Sequence, residues 1–161
     1  MYIEVTQAIV LNNGAIAIIN KEDLAKVSGF NWVWNYKTGV VTFHNKKTLY
    51  LHRVIMDCPK ELVVDHIDHN KLNNTRANLR VCSQSQNSKN RKKSKNNTSG
   101  YKGVYYDNRP GGLIKRWVAQ IKVSRKVKKL GRFLTAVEAA KKYDEFAKVY
   151  FGNFVDLNFK D

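Results

Sequence analysis

A short polar stretch near the middle of the chain combines the residue types that hydrolysis of a phosphodiester requires. Asp65 stands directly before His66, and Asn78 and Asn87 follow along the chain. Such hydrolysis needs an activated water, a charge that stabilises the transition state and a proton donor to the leaving oxygen. His66 is the candidate general base, because an unperturbed histidine pKa of about 6.5 lies near working pH. Asp65 offers a hard oxygen ligand for a metal ion, and Asn87 offers a neutral one.

This donor set favours one divalent cation. One carboxylate and one amide form a poor closed cage, but they suit Mg²⁺, which keeps several waters and completes its shell with substrate phosphate. Mn²⁺ is the alternative ion.

Neighbouring residues of a regular strand point to opposite faces. Asp65 and His66 can therefore share a site only where the strand loosens into a loop, or where metal and water lie at its edge. The alternative is a polar strand end followed by asparagines that only form turns.

The flanking sequence predicts a strand, a polar loop, a second strand and a helix. Residues 62–67 form the first strand, residues 68–77 the loop and residues 79–82 the second strand. Ser83 and Gln86 have the spacing of a capping box, so a helix is expected to begin at Gln84 and to carry Asn87 in its first turn. Asn78 closes the loop and is expected to hold it by side-chain bonds to the backbone.

The segment before this site is predicted to be mostly β. A hairpin turns at Asn13-Gly14, and a short helix over residues 21–28 is expected to be capped by Asn20. Further strands are expected at residues 31–37, 40–44 and 48–56, which are rich in β-branched and aromatic residues.

The last third of the chain predicts a small sheet covered by one helix. Strands are expected at residues 102–107, 116–124 and 127–134, and Thr135 with Glu138 forms a second capping box before a helix that Gly152 ends. In the middle strand, apolar and polar residues alternate. Trp117, Ala119, Ile121 and Val123 share the core face, and Val118, Gln120, Lys122 and Ser124 share the other, which is left free.

Composition and charge narrow the classes of function. The chain has 161 residues and a formal charge of +16. Residues 1–87 carry 10 Lys/Arg and 7 Asp/Glu, whereas residues 88–161 carry 19 and 6, so the charges are +3 and +13. This excess predicts a polyphosphate partner, with a basic module behind a module of another kind. The 43% hydrophobic content favours folded cores over disorder.

The remaining composition argues against a zinc knuckle and against a membrane or secreted protein. The two cysteines, Cys58 and Cys82, form no CxxC pair and are expected to be free thiols. No apolar run approaches the roughly 20 residues that span a bilayer, and no signal peptide opens the chain. We therefore expect a cytoplasmic protein, at the nucleoid or in a phage-infected cell.

Several motifs around this site resemble the HNH nucleases of the phage and intron-homing type. The resemblance covers about residues 49–92 and implies a ββα-metal fold in which Asp65 and Asn87 hold one divalent metal, His66 activates water and Asn78 orders the loop. His69, Asn73 and Thr75 depart from the usual Gly, Asp and Arg. His52 and Arg53 are accessory candidates. The motifs are Leu51-His52-Arg53, Val64-Asp65-His66-Ile67, Asn70-Lys71-Leu72-Asn73-Asn74, Asn78-Leu79-Arg80 and Gln86-Asn87.

Residues 98–158 resemble the ethylene-response-factor type of DNA-binding domain. In that family the free face of a three-stranded sheet enters the major groove, which implies contact residues at Lys102, Tyr105, Gln120, Lys122 and Lys129. Tyr105 and Lys129 stand where Arg and Trp are usual, so the target preference is not carried over. The motifs are Ser99-Gly100-Tyr101-Lys102-Gly103-Val104, Trp117-Val118-Ala119-Gln120-Ile121, Leu130-Gly131-Arg132-Phe133, Glu138-Ala139-Ala140, Tyr143-Asp144, Ala147, Phe151-Gly152 and Leu157-Asn158-Phe159.

These observations predict an α+β protein with four segments. They are a β-rich region (1–60), a ββα-metal nuclease motif (61–92), a basic linker (93–100) and a DNA-binding domain (101–161). The predicted activity is metal-dependent, homing-type cleavage of double-stranded DNA by a monomer. The catalytic set is His66 and Asn78, and Arg80 and Arg91 are further DNA-binding candidates. The alternatives are a non-cleaving DNA-binding regulator and an RNA binder.

Overall fold

The computed structural model describes residues 5–110 and 114–160 of the chain. It divides into two compact units, Met1–Asn87 and Ser88–Asp161. Both units combine small antiparallel sheets with few helices, so the chain is a mixed α and β protein, as the sequence predicts. The four predicted segment boundaries stay predictions.

The first unit opens with a β-hairpin. Strands β1 (Thr6–Val10) and β2 (Ile16–Asn20) pair antiparallel. A 3-10 turn (Lys21–Asp23) and the short helix α1 (Leu24–Val27) follow. The predicted cap by Asn20 is wrong, because its side-chain oxygen accepts a hydrogen bond from the backbone N–H of Arg76 at 2.7 Å instead. This distant contact ties the hairpin to the loop that precedes Asn78.

A second sheet contains β3 (Val33–Asn35), β4 (Gly39–His44) and β5 (Lys47–Tyr50) in that order. The strand predicted for residues 48–56 is wrong beyond Tyr50, since α2 (Leu51–Ile55) begins there. Leu51 and Ile55 are spaced by one helical turn and are fully buried. Burial of this pair outweighs the β preference of the neighbouring residues.

The predicted strand, loop, strand and helix around Asp65 are all present. Strands β6 (Val63–His66) and β7 (Leu79–Cys82) pair antiparallel, and α3 (Gln84–Asn87) follows. Both bonds of the capping box are formed: Ser83 Oγ accepts from the Gln86 N–H at 3.2 Å, and Gln86 Oε1 accepts from the Ser83 N–H at 2.9 Å. Val64 and Leu79 fix the hairpin to the apolar core of the unit, which also includes Ile19, Trp32, Leu51 and Ile55.

The second unit is a three-stranded antiparallel sheet in its described residues, packed on one helix. A 3-10 turn (Ser88–Asn90) precedes strands β8 (Val104–Tyr106), β9 (Trp117–Val123) and β10 (Lys126–Phe133), with β9 in the centre. Helix α4 (Ala136–Phe151) begins after Thr135, whose Oγ1 accepts from the Glu138 N–H at 3.2 Å, and a 3-10 turn (Gly152–Phe154) follows it.

The predicted alternation in β9 is confirmed for its core face. Ala119 and Ile121 are buried against α4, where Ala139, Ala140, Tyr143 and Ala147 complete the core. Val118, on the other face, is also buried, at 1% exposure, beside its cross-strand neighbours Tyr105 and Arg132. The second face of the sheet is therefore only partly open.

Gly103 allows α4 to lie close to the start of β8. It has φ +70°, and an added Cβ would lie 2.0 Å from the Tyr143 ring and 2.6 Å from the Gln120 carbonyl oxygen. The chain after α4 is held nearby, since Asp144 accepts hydrogen bonds from the backbone N–H groups of Asn158 and Phe159. In the described residues, no helix has the length and apolarity that crossing a bilayer requires.

Candidate active site

A cleft of about 200 Å³ lies at the end of strand β6 in the first unit. Asp65 and His66 reach it together because the strand ends at His66, where the alternation of a regular strand no longer applies. Helix α3 brings Asn87 to the same cleft from the far end of the β6–β7 hairpin. Its lining residues are Val64, Asp65, His66, His69, Lys71 and Asn87.

His66 is held in the cleft as a neutral, oriented imidazole. Burial lowers its pKa, although the hydrogen bond with Asn74 and the charges of Asp68 and Asp65 oppose this shift. Nε2 lies 3.2 Å from Asn74 Oδ1, and the Asn74 amide nitrogen donates to the Lys71 carbonyl. The amide oxygen therefore faces the ring, so Nε2 carries the hydrogen and Nδ1 the lone pair. This is the form that a general base requires.

His52 of helix α2 packs edge-on against His66, with ring centroids 5.1 Å apart. Burial lowers the pKa of His52 to about 3, and electrostatic repulsion by His66, Arg53 and Lys71 contributes to that shift. His52 is therefore uncharged and buttresses the ring of His66. The sequence predicted an accessory role without showing this contact.

Arg53, the other accessory candidate, has a different environment. Its guanidinium donates to the backbone carbonyls of Leu62, Cys58 and Pro59 at 2.7–3.1 Å. These bonds hold the segment that enters β6, so Arg53 supports the strand that carries Asp65.

Asn78 closes the loop between β6 and β7 with three side-chain hydrogen bonds. Its Nδ2 donates to Asp68 Oδ1 at 2.9 Å and to the Asn73 carbonyl at 2.8 Å, and its Oδ1 accepts from the Asp68 N–H at 3.0 Å. Although burial acts to raise the pKa of Asp68, its hydrogen bonds from Asn73, Asn70 and Asn78 lower it overall. His69 has φ +64°, a conformation that glycine adopts without strain, which is a physical reason for the Gly that the resemblance implies as usual there.

Asp65 forms an ion pair with Arg80 that was not predicted from the sequence. The Nε and Nη2 atoms of Arg80 lie 2.9 and 2.6 Å from Asp65 Oδ2, and both side chains are largely buried. The register of the hairpin places Asp65 opposite Arg80, so the pairing of these strands could have indicated the contact. The predicted DNA contact of Arg80 stays a prediction.

The cleft suits a hard cation that keeps part of its water. Among the residues that the structure describes, no three of His, Cys, Asp and Glu lie close enough to form a metal site by themselves. The oxygen donors that line the cleft are the Asp65 carboxylate and the Asn87 amide. Such a sparse oxygen set fits Mg²⁺ or Mn²⁺ better than a metal that needs a full cage of protein ligands.

The DNA-binding candidates of the second unit occupy two environments. Gln120 and Lys129 are cross-strand neighbours in β9 and β10, and Tyr105 lies in β8. Lys102 donates from Nζ to the Asp156 backbone carbonyl and also lies near its carboxylate, so it holds the C-terminal segment. Burial lowers the pKa of Lys102, while Asp156 opposes this shift. Its contact with DNA stays a prediction, as do those of the exposed Lys122 and Arg91.

Comparison with known proteins gives matches for both units. A family model described as HNH endonuclease matches residues 49–89, which span α2, the cleft and α3. Protein 3.8 of Escherichia phage T7 is 50% identical over 46 residues, 29% of this chain and 38% of that protein. An ethylene-responsive transcription factor of Medicago truncatula is 39% identical over 90 residues, 55% of this chain and 32% of that protein. No solved structure gives a significant match.

A longer match decides the family. An uncharacterized HNH endonuclease of Acanthamoeba polyphaga mimivirus is 30% identical over 151 residues, 90% of this chain and 75% of that protein. Taken with the family model over the cleft, this shows that the chain belongs to the HNH endonuclease family and is a nuclease whose expected substrate is DNA.

Proposed function

We propose that the chain is a metal-dependent, site-directed endonuclease of the homing type, which hydrolyses phosphodiester bonds of double-stranded DNA. The observation that carries the proposal is that Asp65, His66 and Asn87 line one cleft. In this proposal β6, β7 and α3 form a ββα-metal motif. HNH nucleases generally use a divalent metal, and the oxygen donors of the cleft suit one.

His66 is the general base of the proposed reaction. The lone pair on Nδ1 takes a proton from the attacking water, and the bond from Nε2 to Asn74 keeps the ring oriented as its charge increases. Asn78 acts as a positioning residue, because its bonds to Asp68 and Asn73 fix the loop that carries Asn74.

Asp65 and Asn87 would hold the cation, Mg²⁺ or the alternative Mn²⁺. When bound, the ion supplies positive charge that stabilises the transition state at the scissile phosphate and favours departure of the leaving oxygen. Arg80 holds the Asp65 carboxylate from the neighbouring strand, which limits its rotation and keeps it directed at the cleft.

In the proposal, the second unit directs the enzyme to its DNA site. Gln120, Lys122 and Lys129 provide side chains that can read adenine and guanine edges in the major groove, with Tyr105 beside them. The formal charge of +13 over residues 88–161 and the partial match to a transcription factor support this role. A single candidate active site among the described residues suits a monomer that nicks one strand.

Incubation of the full chain with supercoiled plasmid tests the activity. Wild-type protein should produce nicked circles with Mg²⁺ or Mn²⁺ and none with EDTA. The Asp65→Asn variant should bind DNA but should not cut, because the cation loses its only charged ligand in the set. Equal cleavage by Asp65→Asn, or cleavage that persists in EDTA, would contradict the proposed site.

A further inference from the structure

A strongly basic cleft of about 490 Å³ lies within the second unit. It is formed by the stretch that precedes Tyr101 and by the sheet and helix that follow. None of the described residues that line it is acidic. Seven of them are cationic: Lys89, Arg91, Lys92, Lys93, Lys102, Lys122 and Arg125.

One wall of the cleft is held against the unit by specific contacts. Asn90 is buried, with 4% of its surface exposed. The Lys89 ammonium lies 4.6 Å from the centre of the Phe151 ring, a cation–π contact. Further along, the Asn97 amide donates to the Tyr101 carbonyl at 2.8 Å. The cations of this stretch are therefore presented by an ordered surface.

The other wall comes from the far end of strand β9. Strand β8 pairs with β9 only from Val104 onwards, so it leaves space beside the end of β9. Lys122 and Arg125 are exposed there, Lys122 in the strand and Arg125 in the tight turn to β10. Cations thus stand on both sides of the cleft.

Charges of one sign that face each other repel, so the site is most stable with an anion between them. The volume exceeds that of a single phosphate, and the cations continue along both walls, which suits a row of phosphates. The aromatic rings in the lining offer no open stacking surface for unpaired bases: Tyr143 is 9% exposed, and Phe151 is covered by Lys89. These features favour the sugar–phosphate backbone of a duplex.

We propose that this cleft binds the sugar–phosphate backbone of double-stranded DNA and contributes affinity without reading sequence. It extends beyond the sheet surface that carries Gln120 and Lys129, and Lys122 belongs to both. The proposal rests on the proposed function only in taking DNA as the substrate. In this proposal, residues 88–97 bind DNA in addition to serving as a linker.

The test compares two triple variants of the full chain, each of which loses three positive charges. The cleft variant is Arg91→Gln, Lys92→Gln and Arg125→Gln. The control is Lys95→Gln, Lys126→Gln and Lys141→Gln, whose exposed side chains lie outside the cleft lining. Binding to a labelled duplex of random sequence is measured by fluorescence anisotropy in EDTA, between about 50 and 200 mM salt.

We expect the slope of log affinity against log salt to become shallower by about 2 to 3 in the cleft variant and by less than about 1 in the control, since each lost phosphate contact removes about 0.9. Arg125→Gln alone should make this slope shallower by about 0.9. This single variant tests the proposal even if the triple variant misfolds. Equal losses in the two triple variants, or none in the cleft variant, would overturn the proposal.

A structured RNA of equal length is the competing ligand. Tighter binding of the RNA, lost in the cleft variant, would overturn the assignment to DNA. Plasmid nicking with Mg²⁺ is measured separately. Nicking that is absent while the cleft variant still shows the expected salt effect would contradict the proposed function but not the cleft.

Discussion

The two units of the chain use charge in opposite ways. The first has a formal charge of +3 and buries many of its important polar groups, among them Asp65, His66, Asn74 and Asn78. The second has a charge of +13, builds its core from small and apolar residues such as Ala139, and leaves many cations exposed. Hydrogen bonds among buried polar groups hold the cleft of the first unit, whereas mostly exposed cations line the cleft of the second.

This difference matches a division between chemistry and affinity. A general base must be oriented and kept neutral, which burial and a fixed partner achieve for His66. Attraction to a polyanion needs exposed cations on a stable scaffold, and it tolerates small shifts of each side chain. The first unit should therefore be sensitive to single substitutions at its polar centre, whereas the second should respond to the number and position of its charges.

The sharpest separation of the two roles is expected from His66→Ala. Loss of the base should lower the rate of plasmid cleavage by about 10²–10⁴-fold and leave DNA affinity unchanged. Rates of nicking and anisotropy on the same preparation measure the two effects. His44→Asn, which replaces an exposed histidine of the same unit, should cut at the wild-type rate. A His66→Ala protein whose DNA affinity falls in proportion to its cleavage rate would contradict the separation of catalysis from affinity.

In the second unit, a substitution of Gly103 should cause a large loss of folding stability. Gly103→Ala places a methyl group against Tyr143 and the Gln120 carbonyl at a positive φ, and we expect a loss of about 3–5 kcal/mol. Hydrogen exchange should show lost protection in β9 and α4 and retained protection in β6 and β7. Gly100→Ala has a similar φ but nothing within 4 Å, so it should cost only about 1 kcal/mol. Equal losses for both variants would contradict the proposed clash.

In the first unit, Asn78→Ala should destabilise the fold and reduce cleavage together. The change removes three side-chain hydrogen bonds at a buried position, and we expect a loss of about 2–3 kcal/mol in urea unfolding. Asn70→Ala is the control in the same loop, where the side chain is exposed and accepts one bond from the Leu72 N–H. It should cost about 1 kcal/mol or less. A smaller effect at Asn78 than at Asn70 would argue against a positioning role.

The smallest expected effect is a dependence of stability on pH that comes from His52. The folded-state pKa of His52 is about 3, whereas the unfolded chain takes up this proton near pH 6.5, so stability is lost as pH falls between these values. At pH 5 the loss should be about 2 kcal/mol, and His52→Asn should remove it. Urea unfolding at pH 7 and pH 5 measures the difference. The control His44→Asn should keep the pH dependence of the wild type, and a His52→Asn protein that also keeps it would contradict the prediction.

Prediction from sequence was most successful where local pattern and tertiary burial agree. The β6–β7 hairpin, the Ser83 and Thr135 capping boxes and the core face of β9 follow from residue type and spacing alone. It was wrong at Leu51–Ile55, where strand-favouring residues form a helix, and at Asn20, whose side chain bonds to Arg76. In both places, contacts with residues distant in the sequence outweigh local preference.

The sequence by itself determined the chemistry that the chain can perform: an aspartate beside a histidine, asparagines further along and a basic second half are properties of composition and order. Only the tertiary structure decided how these groups are used. It paired Asp65 with Arg80, placed His52 against His66, engaged Lys102 with Asp156 and gathered seven cations, Lys102 among them, around a cleft. The physical reason is that ion pairs, burial and ring contacts depend on distances between residues that the chain brings together only when it folds.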